Sequence, residues 1–395
     1  MLASRSSAAR SASRLARNFA TVVDTAGVKV AAVDNGEPTS AVTFLVKAGS
    51  RFESKPGVAH ALKGFAFKST EKRSFLGTIR EAELYGGVLS TSLTREHLAL
   101  TAEFLRGDEP LFVDIISSFI KSAKYTRHEL DEYVVPDVKA YAQNVFTPGN
   151  LAVLGTGIDA ATLQKLVEQS LGSLSSASAP TSSPSSYFGG ETRIEAHGAP
   201  ETIFIGLGTT GAPSAELAVL SAHLDPTPSV KWSKGTSPIA AGVPEGISVK
   251  TVLLPYSDAA LYGILIQGES TEGVKAAGKA AVAALKASGD LKGDDLKKAV
   301  AKAKFAAASA LDGRDNLVFA LGAQAFGSPA SLDSTISNLD KVNASAFSKV
   351  RYATPLKDVV LTIRVQAATS FVKAKPTYVA IGDIKRLPYA DELGL

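Results

Sequence analysis

Five histidines, His60, His97, His128, His197 and His223, and no cysteine restrict the chemistry open to this 395-residue chain. No two of the histidines stand three or four residues apart, the spacing by which one helix face holds a metal ion. The lack of Cys excludes thiolate nucleophiles, disulfides, attached haem and cysteine-ligated iron–sulfur clusters. No G-x-S-x-G segment offers a serine nucleophile at a strand-to-helix turn. Gly206-Leu207-Gly208-Thr209-Thr210-Gly211 has the glycine spacing of a dinucleotide loop. Such a loop needs a helix starting on the glycines and an acid on a following parallel strand. Pro213 and Ser214 delay the helix, and Asp225-Pro226 falls in a turn. A flexible strand-to-helix loop is the expected structure there. The acids Asp294 and Asp295 open a lysine-rich helix and suit its dipole, so its lysines read as a solvated face.

One segment carries a more specific pattern. Ala48-Gly49-Ser50-Arg51-Phe52-Glu53 leads into Gly57-Val58-Ala59-His60-Ala61-Leu62-Lys63-Gly64-Phe65-Ala66-Phe67-Lys68-Ser69-Thr70. This run resembles the signature of the pitrilysin-type inverzincin peptidases, G-x-A-H-x-x-E-H-x-x-F-K-[GS]-T. The resemblance implies that two His bind zinc and that the Glu between them is the general base. Here His60 keeps the first ligand place, Lys63 stands at the base and Gly64 at the second ligand. A lysine puts a cation where the metal belongs, and glycine offers no donor. The third ligand implied by the family is a Glu on a later helix, and Pro136–Tyr141 offers only Asp137 beside Lys139. The resemblance therefore implies no catalytic residue, no metal and no cofactor, with His60 a packed or partly exposed remnant. Arg51 and Glu53 are expected to form an ion pair at the strand end.

The elements around this motif fall into two similar sets. Val28–Val33 and Thr43–Lys47 alternate as strands about the turn signal Asp34-Asn35-Gly36. Helices are expected near Val58–Phe67 and Thr78–Leu84, then a hairpin of Val88–Leu93 and His97–Phe104, then an amphipathic helix over Glu109–Ala123. Further on, Thr202–Leu207 reads as a strand and Ala215–Leu224 as a helix. Ser248–Leu254 and Ala259–Gln267 form a second hairpin, followed by an Ala-rich helix over Thr271–Ala287. Each set closes on a strand, Leu151–Gly155 and Tyr378–Asp383. The predicted fold is α+β: two homologous halves, each a mostly antiparallel sheet with helices packed on one face. The first half spans residues 20–172 and the second 188–395, joined by a Ser/Pro-rich linker over 173–187.

Residues 1–19 carry Arg5, Arg10, Arg14 and Arg17 and no acid, the composition of a mitochondrial presequence. Arg17-Asn18-Phe19-Ala20 has the form of a processing site, so cleavage is expected between Phe19 and Ala20. Removing 1–19 takes four positive charges and no negative one, which brings the formal charge of +4 to zero. A near-neutral body argues against nucleic acid as a partner. No run of about eighteen apolar residues is present to span a bilayer.

Lys234–Pro238, Pro255–Gly263 and above all Ile381-Gly382-Asp383-Ile384-Lys385-Arg386-Leu387-Pro388-Tyr389-Ala390-Asp391-Glu392-Leu393 narrow the resemblance. They are similar to the fungal core proteins of the mitochondrial ubiquinol–cytochrome c reductase, complex III, a non-catalytic branch of the peptidase family. That likeness implies a structural role in assembly and stability of the complex, peripheral on the matrix side of the inner membrane. It also implies a homologous core protein 1 and other subunits, including cytochrome b, as partners. The alternative is the non-catalytic α-type subunit of the processing peptidase, which binds presequences. Its glycine-rich loop has only Ala240–Gly246 to correspond to here. The family plan also leads one to expect about forty more residues between Asn144 and Val145, helices that cover a sheet face. Their absence is expected to leave part of the first half's apolar face open and that half the less stable, with 188–395 folding alone.

Overall fold

The computed structural model describes residues 23–25, 27–34, 36–129, 135–172, 174, 182–211, 213–228, 235–288, 293–311, 313–326, 332–342 and 375–395. The presequence, its Phe19–Ala20 junction and most of the linker lie outside them. In chain order the elements are β1 (Val23–Thr25), β2 (Val28–Val33), β3 (Thr39–Val46), α1 (Val58–Gly64), α2 (Phe75–Leu84), β4 (Val88–Leu93), β5 (Leu98–Leu105), α3 (Glu109–Ser122), α4 (Val135–Val145), β6 (Leu151–Thr156) and α5 (Ala160–Leu171). There follow β7 (Gly190–Glu195), β8 (Glu201–Thr210), α6 (Ala215–Leu224), β9 (Ile247–Pro255), β10 (Ala259–Gly268), α7 (Thr271–Ala287), α8 (Gly293–Ala310), α9 (Arg314–Ala325), α10 (Leu332–Asp340) and β11 (Thr377–Gly382).

The strands form two sheets of one plan. The first runs β1-β2-β6-β3-β5-β4 and the second β7-β11-β8-β10-β9. In both, the closing strand pairs in parallel with the opening one, β6 with β2 and β11 with β7, and every other pair is antiparallel. Among the described residues only β1 lacks a counterpart. The repeat read from the sequence is therefore a repeat of topology. Gly206 and Gly208 lie within β8 rather than in a loop, and Gly211 follows its last residue. Gly206 and Gly208 are small because the rings of Phe204 and Tyr187 lie against them.

Two compact units result, residues 1–183 with 313–330, and residues 184–312 with 331–395. In the first, α1, α3, α4 and α5 pack on one sheet face over Val28, Val30, Val42, Phe44, Leu100 and Val153. Phe112 stacks on Phe104 with centroids 4.5 Å apart. The other face is covered as well. Val318, Leu321 and Ala325 of α9 pack on Ala31, Leu45, Ala99, Ala152 and Leu154. Gly322 lets the helix approach, since a Cβ there would fall 2.1 Å from Leu45 Cδ2. These contacts put residues 313–330, which the sequence reading assigned to the second half, with the first. They also correct the expectation of an open apolar face on the first sheet: β6 is buried along its whole length. A strand covered on both sides reads as an unbroken apolar run, as Leu151–Leu154 does.

In the second unit α6, α7, α8 and α10 cover one face, over Ile203, Ile205, Tyr262, Ile264, Ile266, Tyr378 and Ala380. The family-specific C-terminal motif closes this core. Leu387 and Leu393 are buried in it. The Arg193 guanidinium donates to the carbonyls of Ile384, Leu387 and Pro388. It also lies over the Tyr389 ring, 4.0 Å from the centroid. Tyr378 Oη donates to Pro388 O at 2.7 Å, and Lys275 pairs with Glu392.

Candidate functional site

The motif segment begins where β3 ends and crosses to α1. Gly49 allows close passage beside the β4–β5 hairpin, because a Cβ there would sit 2.2 Å from Arg95 O. Arg51 and Glu53 are not paired with each other. Arg51 Nη1 donates to Glu96 Oε1 at 2.8 Å on that hairpin, and Arg51 Nε donates to Ser182 Oγ at 2.8 Å. Glu53 instead accepts from the backbone N–H of Gly57 and Ala59 at 3.2 and 3.1 Å. It thus satisfies donors that the start of α1 would leave open, and its charge suits the helix dipole.

On α1 the side chains of Val58, Ala59, Ala61 and Leu62 are buried, whereas His60 and Gly64 are exposed and Lys63 is half-buried. The alternation follows the helical period, with one face in the core and the degenerate positions on the other. The helix α4 packs beside α1 and brings Asp137 to the same region. That carboxylate is already engaged. Lys55 Nζ donates to both oxygens of Asp137, at 2.9 and 2.8 Å. Tyr141, one turn further along α4, donates to Gly49 O at 3.1 Å and locks α4 against the motif strand.

A zinc ion needs deprotonated donors converging in a tetrahedron. Of the four motif positions only His60 offers a neutral donor. Lys63 is cationic, Gly64 has no side chain and Asp137 is neutralised by Lys55. The residues present do not fit the metal. Among the described residues no group of three or more His, Asp or Glu converges as a metal site would require. The remaining histidines lie apart. His97 stacks on Phe326 just beyond α9, with centroids 5.5 Å apart, and Lys47 Nζ lies 4.6 Å from the centre of that ring. Burial holds the His97 imidazole below its ordinary value, with Glu96 opposing and Lys47 reinforcing. Burial also depresses Lys47. His128 and His197 are exposed, and His223 is half-buried on α6.

Sequence reasoning missed the Lys55–Asp137 pair and the Arg51–Glu96 pair. Both join residues far apart in the chain, and the second was masked by a nearer acid. What the motif forms here is a helix with one face in the core and with His60, Lys63 and Gly64 outside it.

Comparison with known proteins follows the same line. The family described as Insulinase (Peptidase family M16) matches residues 29–154, from β2 to β6. A protein named cytochrome b-c1 complex subunit 2, mitochondrial, from Cryptococcus neoformans is 38% identical over 449 aligned residues, covering 99% of this chain and 98% of that protein. Its namesake from Yarrowia lipolytica is 33% identical, covering 96% of this chain and 97% of that protein. The Cryptococcus alignment is longer than this chain, so at least 54 of its positions, the difference between 449 and 395, face gaps here. Among solved structures, a protease from Helicobacter pylori matches with a TM-score of 0.73 over 92% of this chain and 98% of that one. At 15% identity that is a likeness of fold alone.

Proposed function

The chain belongs to the cytochrome b-c1 complex subunit 2 family, and we propose from that premise that it is a structural core subunit of the mitochondrial ubiquinol–cytochrome c reductase. It contributes to assembly and stability of the complex and has no active site of its own. The observation that carries the second clause is the state of the motif. Lys63 and Gly64 replace base and ligand, and Lys55 occupies both oxygens of Asp137. No step of peptide hydrolysis can be built on that arrangement, and zinc is not part of the reading.

The partners follow as a homologous core protein 1 and the neighbouring subunits, among them cytochrome b. The location follows as the matrix side of the inner membrane. No described helix is long and apolar enough to cross a membrane, which suits a peripheral attachment. Residues 1–19 act as the presequence, with cleavage between Phe19 and Ala20, so the mature chain begins at Ala20 and contains no Met. N-terminal sequencing of the protein from mitochondria reads this directly, and a retained Met1 would contradict it. The α-type processing-peptidase reading has no comparable support. Residues Ala240–Gly242 form a short 3-10 turn in place of a glycine-rich loop.

Blue-native electrophoresis of detergent-solubilised mitochondria tests the assignment. The chain is expected to migrate with the cytochromes of the complex. Migration as a soluble pair in the matrix fraction would refute it.

A further inference from the structure

Two patterns in the sequence take no part in the proposed function: the glycine series Gly206–Gly211 and the end of the Ser/Pro-rich segment before β7. The fold brings them together. Phe204, Gly206 and Gly208 alternate along β8 and so share one face of the second sheet, and Gly263 of β10 pairs across from Gly206. The glycines leave a bare place on that face, and two rings fill it. The Phe204 ring lies against Gly206 and Gly263, where added Cβ atoms would fall 2.7 and 2.3 Å from it. The Tyr187 ring lies against Gly208, where the distance would be 2.1 Å. Glycine in a strand interior marks such a close approach. A spacing that resembles a phosphate loop thus serves as a seat for an aromatic side chain of the same chain.

The segment that carries Tyr187 is fastened beside the seat. Ser185 donates twice to Asp258 at the bend between β9 and β10, from its backbone N–H to Oδ2 and from its hydroxyl to Oδ1, both at 2.9 Å. Tyr187 Oη donates to Gly206 O at 3.2 Å. That hydroxyl has one proton, so Thr377 Oγ1, 2.9 Å away, donates to it. Thr377 opens β11 and pairs with Gly206 of β8 and with Gly190 of β7. Phe188, the next residue, is 82% exposed, so the seat takes Tyr187 by its hydroxyl and position rather than by apolarity alone.

β7 needs such a fastening. It is an edge strand to which β11 alone pairs, in parallel, among the described strands, and none of its six residues is buried. A strand without a buried face has no hydrophobic pattern to set its register. Arg193 ties its far half to the C-terminal carbonyls. The near end enters directly behind Ser185 and Tyr187. There Gly190 N–H donates to Pro376 O at 3.1 Å, and Gly189 passes too close to Lys375 O to carry a side chain.

We propose that residues 185–190 are a latch on the second sheet, which sets the register of β7 and which negative charge at position 185 releases. Closed, the Asp258 carboxylate receives two donors from Ser185. An anionic group in place of that hydroxyl sets like charge at hydrogen-bond distance from Asp258. Repulsion lifts residue 185, Tyr187 leaves the glycine seat, and β7 loses the end that fixes its register. The latch lies within the second unit and stands independently of the function proposed above.

Hydrogen exchange read by mass spectrometry on the full-length chain tests this, with the amides of 185–195 compared with those of β8 and β10. Tyr187→Phe removes only the hydroxyl, whereas Gly208→Ala puts a methyl group in the seat and keeps every hydrogen-bonding group. Each is expected to speed exchange over 185–195 about tenfold and to leave β10 unchanged. Ser185→Asp is expected to exchange at least about threefold faster there than Ser185→Ala, and Asp258→Asn in the Ser185→Asp chain to bring the rate back to that of Ser185→Ala. An unchanged rate in either Tyr187→Phe or Gly208→Ala, or equal acceleration throughout β8 and β10, would overturn the latch. Equal rates for Ser185→Asp and Ser185→Ala, or no recovery with Asp258→Asn, would overturn its release by charge.

Discussion

At the scale of single residues, the chain shows how a metal site is dismantled while its framework is kept. Deleting ligands at Lys63 and Gly64 would leave Asp137 as an acid without a purpose, and Lys55 takes it up in a two-oxygen ion pair. Both partners are largely solvated, with 64% and 36% of the side chains exposed, so the pair contributes at most about 1 kcal/mol. Its consequence is chemical. Lys63→Glu with Gly64→His is expected to bind no stoichiometric zinc by elemental analysis, because the third position remains short and occupied. Adding Lys55→Ala and Asp137→Glu is expected to produce measurable binding. Tight zinc binding by the first pair of substitutions alone would show that Lys55 is irrelevant. That Lys63 and Gly64 stand at the base and second-ligand places was legible in the sequence, since it needs only residue types in a known spacing. The partners of Arg51 and Asp137 were not. Glu53 sits two residues from Arg51 and looked like its mate, but the start of α1 claims that carboxylate for its backbone N–H groups.

At the scale of elements, two devices hold the sheets in place. The C-terminal segment is fixed by Arg193, which reaches three carbonyls and stacks on Tyr389. Arg193→Ala is expected to destabilise the chain by about 2–3 kcal/mol, since a charged donor fork and a stacked ring are lost together. Arg193→Lys should recover only part, because an ammonium cannot span the three acceptors. Urea unfolding curves decide it, and an unchanged midpoint for Arg193→Ala would refute the role. The second device is α9. Gly322→Val puts a branched side chain where Leu45 already stands, and is expected to release the helix from the first sheet. Limited proteolysis should then cut near residues 313–330 faster than in the parent, and resistance equal to the parent would contradict the packing. The hairpins and the closing strand of each half were readable from period-2 runs and turn residues, because those signals are local, whereas the strand order, set by the long-range pairings of β6 with β2 and of β11 with β7, was not. The destination of α9 was not, because an apolar stripe tells a helix that it must be covered without naming the sheet that covers it. That is why the face of the first sheet expected to be open proved covered.

At the scale of the whole molecule, the titratable groups give the fold a defined response to acid. Burial lowers the imidazoles of His97 and His223 from their ordinary 6.5. Their folded forms therefore bind protons less readily than the unfolded chain. Stability from these groups is full above pH 6.5 and is lost as pH falls from there to their lowered folded values. Asp114 and Glu129 act further down. Burial would raise them, but Lys72 and Arg73 on the first, and Ser69 and Thr126 on the second, hold them below 3.8 and 4.5. Their contribution persists through the histidine window and disappears at still lower pH. Urea midpoints measured across pH are expected to fall in these two stages, and His97→Gln with His223→Gln to flatten the upper one. An unaltered upper slope in that variant would contradict the assignment.

The central claim is that this peptidase-like body works by holding an assembly together and performs no chemistry at its motif. The most direct measurement re-supplies a strain lacking the chain with the variant His60→Ala, Lys63→Ala, Asp137→Asn and compares ubiquinol–cytochrome c reductase turnover per assembled complex with that of the parent. The account predicts equal turnover and normal assembly, since all three positions lie outside the buried core. An assembled complex whose turnover, or whose mitochondria's presequence processing, collapses with the variant would contradict it.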